Sequence, residues 1–278
     1  MRRGRVVEAR HRIDAVAVRD GTVVEAAGNP SLVAFLRSSA KPFQALPLVR
    51  AAPDLPAEEI AVACASHGSG EEQLRAVRSL LERSGATEDD LECGEHDGSR
   101  LRHNCSGKHA GMLLLASLRS WPRVGYRAPD HPVQREIARV VSEASGAEPE
   151  TATDGCGVPT YGLPLAGMAH MFGRLASAAL GGSERVVAAM RRHPDLLLGP
   201  VGVDVTVMKT IEGAVAKGGA EGLLCVGLAD ATGIALKAKD GSWRALGPAT
   251  GAFLGIDELR SSPLFNSRGE EVGSISAA

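Results

Sequence analysis

The side chains best able to do chemistry fall in four short stretches of this 278-residue chain. In Arg37-Ser38-Ser39-Ala40-Lys41-Pro42, Ser38 and Lys41 are three residues apart, so one helical turn brings both to the same face. A serine hydroxyl is a poor nucleophile until a base takes its proton. A lysine is that base only where burial or cationic neighbours lower its pKa. The same spacing also fits an N-cap serine followed by a solvated lysine. In Ala63-Cys64-Ala65-Ser66-His67-Gly68, small residues around a serine and a histidine suggest a tight turn beside a pocket. Neighbours in sequence do not face each other, so Ser66 and His67 are not a preassembled dyad, and a capped turn between helices explains the stretch as well. Residues 104–112 (NCSGKHAGM) and 154–159 (DGCGVP) each set a cysteine in a glycine-containing turn. Two thiols of this kind suit a soft cation such as zinc, but there is no C-x-x-C, and His103 and His109 do not match a finger's spacing. Lys108 could ligate only as the free amine. The pair Gly107-Lys108 lacks the rest of a G-x-x-x-x-G-K-[ST] frame, which excludes a P-loop. Finally, Lys237 and Lys239 are two apart in an apolar run and point the same way along a strand. They face solvent if Ile234 and Leu236 face the core; the alternative is an inward lysine at a sheet edge, aimed at a serine.

These residues need elements to hold them. Residues 5–9 and 14–19 alternate or are β-branched, and Asp20-Gly21 is a hairpin turn into Thr22-Val23-Val24. Gly28-Asn29-Pro30 closes that section. Residues 71–84 put Leu74, Val77, Leu80 and Leu81 on one helical face with Gly85 as the stop. Val133, Ile137, Val140 and Val141 repeat the pattern, ended by Gly146. Residues 106–118 and 163–180, rich in Ala, Leu and Met, read as buried helices. Residues 222–228 and 233–239 return to strand, and Asp240-Gly241 predicts a second hairpin into a strand at 243–246. The order predicts an α+β fold: an antiparallel sheet with strands from both termini, at about 1–30 and 200–250, covered by a central helical region at about 35–195. No repeat or linker interrupts the chain, so we expect one domain over residues 1–278.

Composition narrows the function. With 31 Lys and Arg against 33 Asp and Glu, the net charge of −2 offers no basic surface for nucleic acid. Aromatic residues are 3% of the chain, too few to build stacking platforms for bases, so a small polar substrate fits better. No apolar run follows the basic start and none is long enough for a bilayer, which gives the expectation of a cytoplasmic protein that does not engage membranes. An odd count of five cysteines argues against a disulfide framework.

Taken together and in order, the stretches resemble the L-asparaginases typified by the inducible rhizobial enzyme, a family related in fold to serine β-lactamases and glutaminases. The resemblance is carried by residues 3–8 (RGRVVE), 37–47 (RSSAKPFQALP), 65–67, 93–94, 104–113 (NCSGKHAGML), 131–134, 154–160 (DGCGVPT), 217–222 (KGGAEG) and 233–241. It implies L-asparagine amidohydrolase activity, giving L-aspartate and ammonia through a Ser-Lys nucleophile and an acyl-enzyme, with L-glutamine as the second amide. Carried over by position, it implies two Ser-Lys pairs, Ser38 with Lys41 and Ser66 with Lys237. It implies zinc on Cys105, Lys108 and Cys156. It places Asp154 at the substrate, with Arg37 as a candidate for carboxylate binding and His109 as a candidate for substrate binding or for supporting the metal from behind its ligands, and it implies a homodimer. The chain departs from the family in a brief 94–103 connection, in SHGSGEEQ with Gln73 where histidine is usual, and in Gly202 where an arginine precedes Asp204. Two other readings follow from the same residues. A β-lactam-handling serine enzyme would share the S-x-x-K pair, but no S-D-N or K-T-G string occurs, Met208-Lys209-Thr210-Ile211 being nearest. A non-catalytic, zinc-stabilised amino-acid-binding protein would suit the trimmed loops.

Overall fold

The structure is a computed structural model that describes residues 1–199 and 202–278. Its central element is a five-stranded antiparallel sheet in the spatial order Thr22–Ala27, Ile13–Arg19, Gly233–Ala238, Leu223–Gly227, Val215–Gly219. Strands from both ends of the chain therefore pair as the pattern predicts. The first two strands join through Asp20 and Gly21, both with positive φ, as a tight hairpin requires. The expected start of the C-terminal strand region falls on residues 200 and 201, outside the described residues, and the stretch after it is corrected: Val203–Thr210 is a helix, so the strands there begin at Val215.

The helical region matches the periodicity closely where that was strongest. Helices Glu71–Ser84 and Pro132–Ser145 end on Gly85 and Gly146 in the left-handed conformation. Helix Ser106–Leu118 is buried nearly all round, so its sequence shows no polar stripe. Buried apolar side chains of the sheet and the helices form one contiguous cluster, including Phe43, Leu113, Phe172 and Leu224.

Three expectations are corrected. Residues 159–164 form a strand, paired with Glu150–Thr153 on one side and Val33–Phe35 on the other, so the helix predicted from 163 is Leu165–Ala176. Residues 243–246 are not a strand: Trp243–Ala245 is a 3-10 turn running into helix Leu246–Leu254, which packs on the sheet. The apolar run there carries no helical stripe, because much of the helix is covered. Two strands, Ser261–Phe265 and Glu271–Ser276, join Arg2–Arg3 and Val6–Val7 in a separate four-stranded sheet that the sequence reading missed. Their mixed polar pattern reflects their exposure.

The edge strand Val215–Gly219 matters most for function. Its consecutive residues face opposite covers: a Cβ on Gly218 would meet the Trp243 ring, and one on Gly219 would come within 2.5 Å of Leu36 O. The face of Lys217 and Gly219 thus lies directly against the turn that carries Ser38.

Candidate active site

Ser38 sits in the 3-10 turn Arg37–Ala40, which runs without a break into helix Lys41–Ala51. Arg37 adopts φ +49°, a left-handed conformation that costs a non-glycine residue energy and is retained where surrounding contacts hold it. Here its N–H donates to Thr160 Oγ1 (3.1 Å) and its Nε to Asp154 Oδ1 (2.6 Å). Ser39 Oγ donates to Lys217 O (2.8 Å), fastening the turn to the edge strand.

Lys41, the first residue of that helix, is fully buried. Its Nζ is 2.5 Å from Ala65 O, 3.0 Å from Ser66 Oγ and 3.4 Å from Asn104 O. Burial pushes its pKa down to about 8; Lys108 and Lys217 push the same way, and the Cys105 and Cys156 sulfurs oppose them. The lysine of the S-x-x-K motif therefore touches Ser66, a pairing the spacing did not predict.

The Ser66 turn is held from two sides. Its N–H donates to Leu197 O (2.7 Å). Gln73, the departure from the family, accepts from Gly70 N–H (2.9 Å) and donates to Leu196 O (3.1 Å), bracing the segment that holds Ser66. His67 is buried, and its pKa falls to about 4, first through burial and then through Lys41. Ser106 Oγ donates to Leu101 O, so the neutral ring donates from Nε2 to Ser106 Oγ (2.8 Å) and accepts Ser69 N–H at Nδ1 (3.3 Å). His67 is thus a tie between the Ser66 turn and the start of helix Ser106–Leu118.

That helix start is pressed against the end of helix Ala57–Ala63. A Cβ on Gly107 would come within 2.2 Å of Val62 O, which explains the glycine in NCSGKH without any phosphate. The close approach places Cys105 and Lys108 beside Cys156. Lys108 Nζ is 3.1 Å from Cys156 Sγ and 3.9 Å from Asp154 Oδ2. A hydrogen bond from Cys156 lowers the Cys105 pKa well below the usual thiol value despite burial, with Lys41 and Lys108 adding to it. Burial alone would lower the Lys108 pKa, but Cys105, Cys156 and Asp154 outweigh it and raise it. The two directions agree on a thiolate beside an ammonium. Two sulfurs and one amine converging at a buried point fit a soft cation. Among the described residues no group of three or more His, Cys, Asp or Glu side chains is arranged to hold a metal, so a cation here would need Lys108 as its third protein ligand.

The structure corrects two further expectations. Lys237 is not brought to Ser66. Its Nζ donates to Glu221 O (2.6 Å) and Ala238 O (2.5 Å), and the residue is only half-buried. The register pairs it with Leu223, which in turn pairs with Gly219, so it stands two strands away from the edge. The buried lysine on that edge is Lys217, with Nζ 3.1 Å from Gly218 O and 3.8 Å from buried Asp204 Oδ2. Burial lowers its pKa against the pull of Asp204, and its charge acts on Lys41. The signal was available as Lys217-Gly218-Gly219, in which the glycines let the strand meet the Ser38 turn. His109 is likewise not poised for substrate. It is fully buried with Nδ1 2.6 Å from the Tyr126 hydroxyl, and burial lowers its pKa.

Two crystal structures of Mglu share this arrangement of helices and sheet. In its tris and glutamate form, Mglu matches with a TM-score of 0.51 at 14% identity, over 89% of this chain and 59% of that one. In its native form with 4.3 M NaCl the TM-score is 0.50 at 14% identity, over 82% and 56%. At that identity the likeness defines the fold, and this chain spans somewhat more than half the length of those it matches. A family model for L-asparaginase II matches residues 1–277, and the chain belongs to that family. No curated protein sequence matches it at a comparable level. Among the described residues no helix is long and apolar enough to cross a membrane.

Proposed function

We propose that this protein is an L-asparagine amidohydrolase on a serine β-lactamase/glutaminase-like scaffold, working through a serine acyl-enzyme with Lys41 as the base. One observation carries the reading: a fully buried lysine, its pKa brought to about 8, touches a serine hydroxyl at 3.0 Å. As a free amine, Lys41 gives its two N–H groups to Ala65 O and Asn104 O. That leaves its lone pair for the Ser66 side, the geometry a general base requires. Membership in the L-asparaginase II family supports an amide substrate.

Ser38 is the acylated residue in this reading. It is half-exposed, lies one turn before Lys41 on the same face, and follows the strained Arg37. Ser38 Oγ attacks the side-chain amide carbon as its proton passes by way of the Ser66 hydroxyl to Lys41. Ser66 then relays that proton from Lys41 to the departing ammonia, and water hydrolyses the acyl-enzyme to aspartate. Lys217 adds positive charge that keeps Lys41 neutral. A second reading makes Ser66 the nucleophile, favoured by its direct contact with Lys41. Zinc on Cys105, Cys156 and Lys108 would act as a Lewis acid or a brace near the substrate amide. Without it, the same residues keep Asp154 and Arg37 in register with the Ser38 turn. A homodimer, which the family resemblance implies, completes the proposal, with each chain a single structural unit in the cytoplasm.

Mass measurement of the quenched steady state with L-asparagine separates the two serines. An aspartyl adduct of about 115 Da, the mass of asparagine less ammonia, that is lost in Ser38→Ala and kept in Ser66→Ala supports the first reading; the reverse supports the second. No adduct and no ammonia from either amide sinks the proposal.

A further inference from the structure

A cavity of about 650 Å³ opens on the face of the central sheet that looks away from the serines. The register puts Lys217, Cys225, Ala235 and Val16 on one face, and Gly218, Leu224, Leu236 and Ala15 on the other. Lys217 faces the Ser38 turn, whereas Ala15 and Leu236 line the cavity, so the sheet itself separates the two places. Helix Leu246–Leu254 packs on strands Ile13–Arg19 and Gly233–Ala238 and walls the cavity with Pro248, Ala249 and Phe253. The edge strand beside it, Thr22–Ala27, is exposed along its whole length. Ile13, Ala15, Ala27 and Leu236 make the floor aliphatic, and Phe253 adds one ring. Such a surface suits an alkyl chain better than a base or an indole, which would look for stacking partners.

The rim carries charge that the protein does not use. Arg2, Arg10 and Arg12 line the cavity and are exposed, and among the described residues none of them makes an ion pair or a side-chain hydrogen bond. Neighbouring charges are spent: Arg3 on Glu8 (3.0 Å), His11 on Asp240 (2.6 Å), and Arg244 Nε–H on His11 Nε2 (3.0 Å). Arg10 and Arg12 are two apart in the segment leading into strand Ile13–Arg19, and Lys239 N–H holds that segment at Arg12 O (2.9 Å). Guanidinium forks gathered without a counter-charge favour an anion, and their planar donors match a carboxylate. Glu25, exposed on the same lining, limits the anion's charge. Beside it a phosphate dianion meets more repulsion than a carboxylate monoanion.

We propose that this cavity binds one medium-chain aliphatic carboxylate per chain. The tail lies on Ile13, Ala15, Leu236 and Phe253, and Arg10 and Arg12 hold the head. The site stands apart from the candidate active site and does not depend on the amidohydrolase reading.

The test is calorimetric titration of the full-length protein with decanoate below its micellar concentration, alongside the double variant Arg10→Gln/Arg12→Gln. Both positions are exposed, so the variant should melt as wild type does. Wild type should bind one decanoate per chain, more than tenfold tighter than hexanoate because four buried methylenes are lost in the shorter acid. The double variant should bind decanoate about tenfold more weakly. Added salt should weaken binding to wild type and leave the variant nearly unchanged, since the head charges are exposed and screened. Decylamine should bind far more weakly than decanoate. A variant that binds decanoate as wild type does, or decylamine binding as well as decanoate, overturns the arginine head site. Decyl phosphate binding tighter than decanoate overturns the choice of a carboxylate. Affinity that ignores chain length overturns the aliphatic floor, and folded wild type that binds no decanoate overturns the proposal altogether.

Discussion

If Lys41 is the base, the rate must follow its neutral fraction, and the structure sets where that fraction changes. With a pKa of about 8, roughly a tenth of Lys41 is neutral near pH 7 and roughly nine-tenths near pH 9. The sign is fixed: the amine is the active form, so kcat/KM rises with pH, about tenfold over that interval, and levels off. A lysine at the ordinary value of 10.5 would instead give a climb of about a hundredfold with no plateau in the same range. Ammonia release from L-asparagine, measured at low substrate in buffers of constant ionic strength, reads this directly. Lys217→Met should move the rising limb to higher pH, because Lys217 is one of the charges holding the Lys41 pKa down. A flat profile, or a hundredfold climb without a plateau, refutes the assignment.

The same shift bears on stability. Burying Lys41 lowers its pKa from 10.5 to about 8, so between those pH values the unfolded chain binds a proton that the folded chain does not, and stability rises with pH across that window. Below about pH 8 the fold carries the full cost, about 3 kcal/mol for a shift of this size, so Lys41→Met should raise the denaturant midpoint at neutral pH, and a lowered midpoint would show the ammonium to be better solvated than argued. Gly107→Ala should destabilise by about 3 kcal/mol, read by thermal melting, since its Cβ would come within 2.2 Å of the Val62 carbonyl and neither helix can easily withdraw. Cys105→Ser should lower the zinc bound per chain, measured by elemental analysis of protein purified without chelator; unchanged zinc would move the metal elsewhere.

The parts of the fold legible in the sequence are those whose two faces differ. Helix 71–84 shows its apolar stripe and its terminal glycine because one face meets solvent. Helix 246–254 hides its stripe because much of its surface is covered, and its proline and glycines look like turn residues. The strands at 261–265 and 271–276 are mostly exposed, so little apolar patterning marks them. In the site, motif wording picked out Ser38, Lys41, Ser66 and the Cys105–Lys108–Cys156 cluster, and the fold brings Lys41 against Ser66 and near that cluster. Choosing between Lys217 and Lys237 was beyond the strand pattern. Both lie in apolar strands and on the same face of the sheet by register. Only the strand order shows that Lys217 is at the edge facing the Ser38 turn. The Lys41–Ser66 contact is also tertiary, since it depends on the Leu197 carbonyl holding the Ser66 turn in place.

The most direct test is ammonia release from L-asparagine by the wild-type protein and by Lys41→Met, with folding of both confirmed by circular dichroism. The account predicts ready release by wild type and a loss of about a thousandfold in the variant, the contribution expected of a general base. A wild type without activity, or a folded Lys41→Met that retains it, would contradict the claim that this buried lysine drives the reaction.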